Sequence, residues 1–235
     1  MKSQGQINLS RLNKFKPQSA VHTPKVIVFR VLIVCEGIKT EPNYFRAISR
    51  KKNGVFVVDM DVDGAGTNTK QVVEKAIELR DKSTIPYDRV CAVFDKDSFP
   101  DVKFNGAIQK AEANGIQVAW SNEAFELWYL YHFVNRVTAM NRTEYKKAIS
   151  RAVNNSPTYK GKPYVYKKNA ENNYQIMTTF GSEQNAIRWA DEKSKEYSGN
   201  RFATQNPCTT VFKLVRQLNG TDDILNKWLK EKVDE

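Results

Sequence analysis

The chain has 235 residues, 40% of them hydrophobic and 11% aromatic, which is enough apolar material for one large domain and too much for a disordered chain. Three scattered cysteines and two histidines leave no disulfide scaffold, zinc ribbon or His-rich metal site. Thirty-seven Lys and Arg against 26 Asp and Glu give a net charge of +11, an excess that favours a polyanionic partner, nucleic acid first.

Residues 1–24 are polar and basic without hydrophobic periodicity, and they read as a flexible arm. They lack the apolar segment of a signal peptide. No run anywhere approaches the roughly 20 apolar residues of a membrane span, so a cytoplasmic location without membrane contact is expected. Val26–Cys35 is a continuous β-branched, apolar run, the mark of a strand buried on both faces of a parallel sheet. Gly37 follows, and Thr40 is placed to cap a helix through Ile48, with Pro42 in its first turn. Val55–Val62 predicts a second strand, broken by Gly64-Ala65-Gly66. Those glycines could cradle a phosphate but lack the Gly-Lys-Ser/Thr of a P-loop.

Helical spacing then covers Lys70–Lys82, and Arg89–Phe94 predicts a third buried strand. A short helix over Asn105–Asn114 stops at Gly115, a fourth strand runs over Ile116–Trp120, and Ala124–Phe133 is an apolar helix. This alternation predicts an α/β domain over residues 25–137 with a doubly wound parallel sheet. Residues 138–235 read as a basic, mainly helical extension packed on that core. A loop is expected around Pro157–Pro163, and helices over Gln184–Tyr197, Thr209–Leu218 and Asp222–Lys232.

The C-terminal ends of parallel strands share one rim, where sites form. Here the first strand ends in Glu36, the third in Asp95-Lys96-Asp97, and the fourth runs into Glu123 with Glu126 shortly after. Carboxylates gathered without histidine or thiol suit a hard cation, Mg²⁺ or Mn²⁺; taken singly, each acid could equally be a cap or loop residue. Glu126 sits on an apolar helix, where a carboxylate is costly unless paired or metal-bound, so it is either a metal ligand or half of a salt bridge. Lys39 could contact a phosphate or be plain surface charge, and Lys96 points away from its neighbours in an extended chain. His132 and the aromatic series Phe125, Trp128, Tyr129, Tyr131 and Phe133 read as core packing.

Charge is uneven along the chain. Between residues 142 and 168 eight Lys and Arg face the single Glu144. Within it, Tyr159, Tyr164 and Tyr166 interleave with Lys160, Lys162, Lys167 and Lys168, a mixture suited to stacking on unpaired bases beside phosphates, or simply to a solvated basic loop.

Four segments carry a resemblance: Val31–Phe45 (VLIVCEGIKTEPNYF), Val93–Phe99 (VFDKDSF), Ser121–Phe133 (SNEAFELWYLYHF) and Asn206–Leu218 (NPCTTVFKLVRQL). Together they resemble the RloB family of bacterial anti-phage defence proteins, which is similar in turn to the Toprim fold of topoisomerases, primases and overcoming-lysogenization-defect nucleases. The resemblance implies that Glu36 is the Toprim glutamate and Asp95 and Asp97 the Asp-x-Asp pair, with Glu41 as the further acid of nuclease-type sites. It implies one or two Mg²⁺ or Mn²⁺ ions, hydrolysis of a DNA or RNA phosphodiester, and a separately encoded ATPase of AAA or ABC type as controlling partner. On that reading Lys39 would face the phosphate and Glu126 would complete the metal shell, while the composition of the basic stretch offers Lys160, Lys162, Tyr164, Lys167 and Lys168 as the nucleic-acid contacts. Topoisomerase and primase need further domains for which 235 residues leave no room, so nuclease is the activity expected. Two other readings stand beside it. One is an aspartyl-phosphate phosphatase, which usually carries its Asp-x-Asp on the earliest strand. The other is a non-catalytic nucleic-acid or partner-binding module whose acids hold a structural ion.

Overall fold

The first apolar run forms an interior strand of a five-stranded sheet in the computed structural model, which describes residues 27–48, 56–66 and 68–234. This strand, β1 (Ile27–Cys35), pairs in parallel with β2 (Phe56–Gly64) on one side and β3 (Arg89–Asp95) on the other. Beyond β3 lies β4 (Gln117–Asn122), also parallel, and the two-residue β5 (Cys208–Thr209) closes that side antiparallel. Successive strand residues point to opposite faces. Phe29, Val31, Ile33 and Cys35 therefore enter one apolar cluster, and Leu32 and Val34 the other.

Helices α2 (Thr69–Lys82) and α3 (Asp101–Ala113) cover the Leu32 face. The opposite face carries α1 (Thr40–Ala47) and α4 (Glu126–Tyr131), together with α5 (Tyr145–Asn154), α6 (Asn173–Phe180), α7 (Glu183–Lys195) and α8 (Val211–Leu218). A last helix, α9 (Asp223–Asp234), adds Leu225 and Leu229 to the same cluster. Every residue of α4 is buried, and a helix without a polar face needs cover all round. Chain beyond residue 138 supplies that cover, so the change of pattern there marks no gap in packing: Tyr145, Ile149, Ala186 and Ala190 share one cluster with Leu127 and Trp128.

The α/β expectation and the four parallel strands match the structure, with differences at the boundaries. Helix α3 starts at Asp101 rather than Asn105: its first three residues are exposed (Val102 83%) and carry no period, and the buried face Phe104, Ala107, Ile108 and Ala111 begins only after them. Thr40 is not the cap of α1. Lys39 holds that position, and the Thr40 hydroxyl lies 3.2 Å from both the Lys168 carbonyl and Asn169 Oδ1. The segment expected as a helix from Thr209 first gives Cys208–Thr209 to the sheet and turns helical only at Val211, since two residues are too few to show a period. The expected N-terminal arm, residues 1–24, lies outside the described residues. All three cysteines are buried and unbridged. Among the described residues no helix is long and apolar enough to cross a membrane.

Candidate carboxylate site at the sheet rim

Where β1 stops, the Glu36 N–H donates to the Val93 carbonyl at 2.8 Å, which holds its side chain beside the end of β3. Glu36 Oε2 then accepts the Asp95 N–H at 3.1 Å. Asp95 is the last residue of β3 and is 5% exposed. Past it the Lys96 N–H reaches the Ser121 carbonyl (2.8 Å) and the Asp97 N–H the Glu123 carbonyl (3.1 Å), so the turn after β3 is tied to the end of β4. Asp97 has φ +42°, a left-handed conformation that Asp tolerates better than most residues. Its carboxylate forms an ion pair with the Arg142 guanidinium, and the Arg142 N–H donates to Glu123 Oε2 at 3.1 Å.

Two further acids come in from the helices. Glu41 stands in the first turn of α1, directly over Gly37; a Cβ on Gly37 would collide with its carboxylate, so the glycine makes the room for the acid. Glu126 opens α4, where its Oε1 accepts the Tyr166 hydroxyl at 3.2 Å and lies 3.7 Å from Lys168 Nζ. The Lys168 backbone is fastened by a bond of 3.2 Å from Asn173 Nδ2 to its carbonyl.

Burial and crowding of like charges set the electrostatics. Burial pushes the Glu36 carboxyl up to about 7; repulsion from Glu41 and Asp97 adds, while the Asp95 N–H and Arg142 oppose. Asp95 is raised well above the usual carboxylate range, first by burial and then by Glu41, Glu126 and Glu36, with the Phe125 N–H pulling the other way. Glu41 is raised by burial and by Glu126, against the cations Lys168 and Arg142. Tyr145 is likewise raised by burial, then by Glu123, Asp95 and Glu126, and its buried hydroxyl has no partner among the described residues.

Two carboxylate oxygens, Glu41 Oε2 and Glu126 Oε2, are buried with no hydrogen-bond partner among the described residues. Oxygen-only donors with unpartnered buried lone pairs fit a hard divalent cation. As the side chains stand, however, no three His, Cys, Asp or Glu among the described residues close into a ligating group. Each acid is drawn to its own partner: Glu36 to the Asp95 N–H, Asp97 to Arg142, Glu126 to Tyr166 and Lys168.

The fold thus brings Glu36, Glu41, Asp95 and Glu126 together, and turns Asp97 outward onto Arg142. Of the two readings of Glu126, the structure contains the salt bridge. Lys39 is exposed at the start of α1, and Lys96 is taken up by the Phe99 carbonyl (2.6 Å) and Asp101 (3.1 Å). Lys160, Lys162 and Lys167 lie exposed on the loop after α5, but its tyrosines turn inward. Tyr166 is buried against Glu126, and Tyr164 is half-buried with its hydroxyl 3.4 Å from Asn173 Oδ1. Arg142 and Tyr145 were not legible as site residues, and Tyr166, expected from sequence as a base-stacking residue, instead donates to Glu126; no local spacing links the three to acids that lie elsewhere in the chain. His132 is buried, its Nδ1 2.9 Å from the Trp128 carbonyl, and burial pulls it down to about 4, as a core histidine. The Gly64–Gly66 turn has no free cradle for a phosphate: the Ala65 and Gly66 N–H groups bond to the Cys35 and Glu36 carbonyls at 2.8 and 3.0 Å.

A mostly parallel sheet with helices on both faces, and strand-end carboxylates crowding one buried aspartate, defines an α/β protein with an acidic rim site, an arrangement consistent with a Toprim-like fold. A family model described as RloB-like protein matches residues 31–218, and the chain belongs to that family. No curated protein and no solved structure matches it.

Proposed function

We propose that the protein is a metal-dependent nuclease of Toprim type that hydrolyses DNA or RNA phosphodiesters in anti-phage defence in the cytoplasm, under the control of a separately encoded ATPase. The reading rests above all on Asp95, a buried carboxylate that three other acids, Glu41, Glu126 and Glu36, repel at close range. Such crowding is unfavourable unless a cation or protons offset it, and the pairing partners here are only partly exposed lysine and arginine.

Glu36, Asp95 and Asp97 would hold Mg²⁺ or Mn²⁺, with Glu41 and Glu126 flanking. When bound, such a cation neutralises phosphate oxygens and lowers the pKa of a coordinated water. The chain's own contribution is orientation. The hydrogen bond from the Asp95 N–H to Glu36 Oε2, and those from the turn after β3 to the end of β4, fix the acids relative to one another. Arg142 and Lys168 stand at the mouth of the cluster, where a phosphodiester would arrive, and Lys160, Lys162 and Lys167 would contact its backbone further out.

The separation of the acids into individual pairs favours one other reading, a binding module whose carboxylates serve recognition or a structural ion. Labelled DNA and total RNA incubated with the protein in Mg²⁺, Mn²⁺ or EDTA, beside Asp95→Asn, separates the two. Metal-dependent cutting lost in the variant supports the nuclease. Tight metal-independent binding without cutting, with or without the partner ATPase, overturns it in favour of the module.

A further inference from the structure

Asp97 is the one acid of the Asp-x-Asp pair that has a guanidinium on it. Both side chains of that ion pair are 38% exposed, so it sits at the open side of the cluster, where water screens it and exchange is easy. The Arg142 backbone is separately anchored through its N–H to Glu123 Oε2 at 3.1 Å, so the side chain can swing without moving the chain. Inward of this pair the cluster has the opposite character: Glu41 and Glu126 are each 5% exposed and each keeps one oxygen without a partner among the described residues. A cation is therefore needed more deeply than the guanidinium reaches, while the carboxylate that would complete its shell is held by Arg142.

Resting on the reading of this site as a divalent-cation centre, we propose that Arg142 is an exchangeable counter-cation: the divalent ion displaces its guanidinium from Asp97, and the freed guanidinium turns to the mouth of the site as the ligand for the arriving phosphate. No bond is made or broken in the exchange; one cation replaces another on the same carboxylate. Arg142 opens the short helical turn Arg142–Glu144 that leads into α5, and Lys146, Lys147 and Arg151 on α5 are exposed, so the released side chain would extend an existing basic surface.

The test is Mn²⁺ binding to the full chain, followed by electron paramagnetic resonance, in the wild type, Arg142→Gln and Arg142→Lys. Loss of the competing charge in Arg142→Gln should tighten Mn²⁺ binding by roughly fivefold, the worth of one partly exposed ion pair, while Arg142→Lys should stay close to wild type. The Arg142 Nε–H resonance, assigned by its loss in Arg142→Lys, should shift on titration with diamagnetic Mg²⁺. Equal Mn²⁺ affinities in wild type and Arg142→Gln, or an unmoved resonance at saturating Mg²⁺, overturn the exchange and leave the metal site standing. No Mn²⁺ binding by any of the three proteins removes the metal reading itself, and the exchange with it.

Discussion

Glu36 Oε2 accepts the backbone N–H of Asp95 at 3.1 Å, so the acid that ends β1 is locked to the acid that ends β3. The bond crosses two neighbouring parallel strands at their C-terminal ends and carries the half-buried Glu36 carboxyl and the buried Asp95 carboxyl into one space. Its geometry explains both why the site is strongly acidic and why it is destabilising when charged.

That cost has a definite pH signature. The folded Glu36 carboxyl keeps its proton up to about 7, against 4.5 in an unperturbed chain, so the native state binds more protons than the unfolded state in between. The Glu36 contribution to stability therefore falls as pH rises from about 4.5 to 7, and Asp95 and Glu41 act in the same direction. His132 works oppositely: pulled down from 6.5 to about 4, it costs stability as pH falls through that window. In EDTA, Glu36→Gln should therefore melt higher than wild type by roughly 3 °C near neutral pH, and the gap should close toward pH 4.5. Parallel melting curves across that range would refute the assignment.

Asp95→Asn should separate stability from activity. Removing a buried, triply repelled charge raises the melting temperature in EDTA, while metal-dependent cleavage falls by about two orders of magnitude or more. A variant that is both destabilised and inactive would show that Asp95 is a structural residue instead.

Tyr166 matters through one hydrogen bond. In Tyr166→Phe, Glu126 Oε1 loses its hydroxyl donor, and Oε2 already has no partner among the described residues. The expected loss is about 1–2 kcal/mol in urea unfolding, and it should largely vanish in the Glu126→Gln background, because the penalty belongs to a buried carboxylate left one hydrogen-bond donor short. An additive double variant would contradict this.

The four lysines of the loop after α5 should not behave alike. All four are exposed, but Lys168 alone also lies 3.7 Å from the buried Glu126. Neutralising Lys160, Lys162 and Lys167 should weaken nucleic-acid binding and lower the salt slope by about one for each phosphate that is no longer neutralised. Lys168→Gln should in addition lower the melting temperature, since it strips Glu126 of its cation. An unchanged slope in the triple variant would move the binding surface elsewhere on the protein.

Gly64 ends β2 against the loop that carries the site. A Cβ there would lie 2.7 Å from Ile38 Cα and 2.9 Å from the Gly37 carbonyl oxygen, both backbone atoms that cannot step aside. Gly64→Ala should cost about 2 kcal/mol and loosen the Glu36–Glu41 loop, measurable as faster amide exchange at Gly66, whose N–H is bonded to the Glu36 carbonyl.

The parallel strands and the acids at their ends could be read from sequence because both are local properties. Val26–Cys35 is apolar at every position but Arg30, as a strand covered on both faces must nearly be, and a charged residue directly after such a run has to lie at the rim. The aromatic series of α4 could be placed in the core for the same reason. What the acids meet there was decided only by tertiary structure. Tyr166 lies 40 residues from Glu126, and Arg142 is brought to Asp97 only by the turn that leads into α5. β5 is two residues long and exists only because β4 offers it an edge to pair with. Periodicity records which side of its own element a residue occupies. It carries no record of which distant element will cover that side, and at this rim the distant elements supply the counter-charges on which the chemistry of the carboxylates depends.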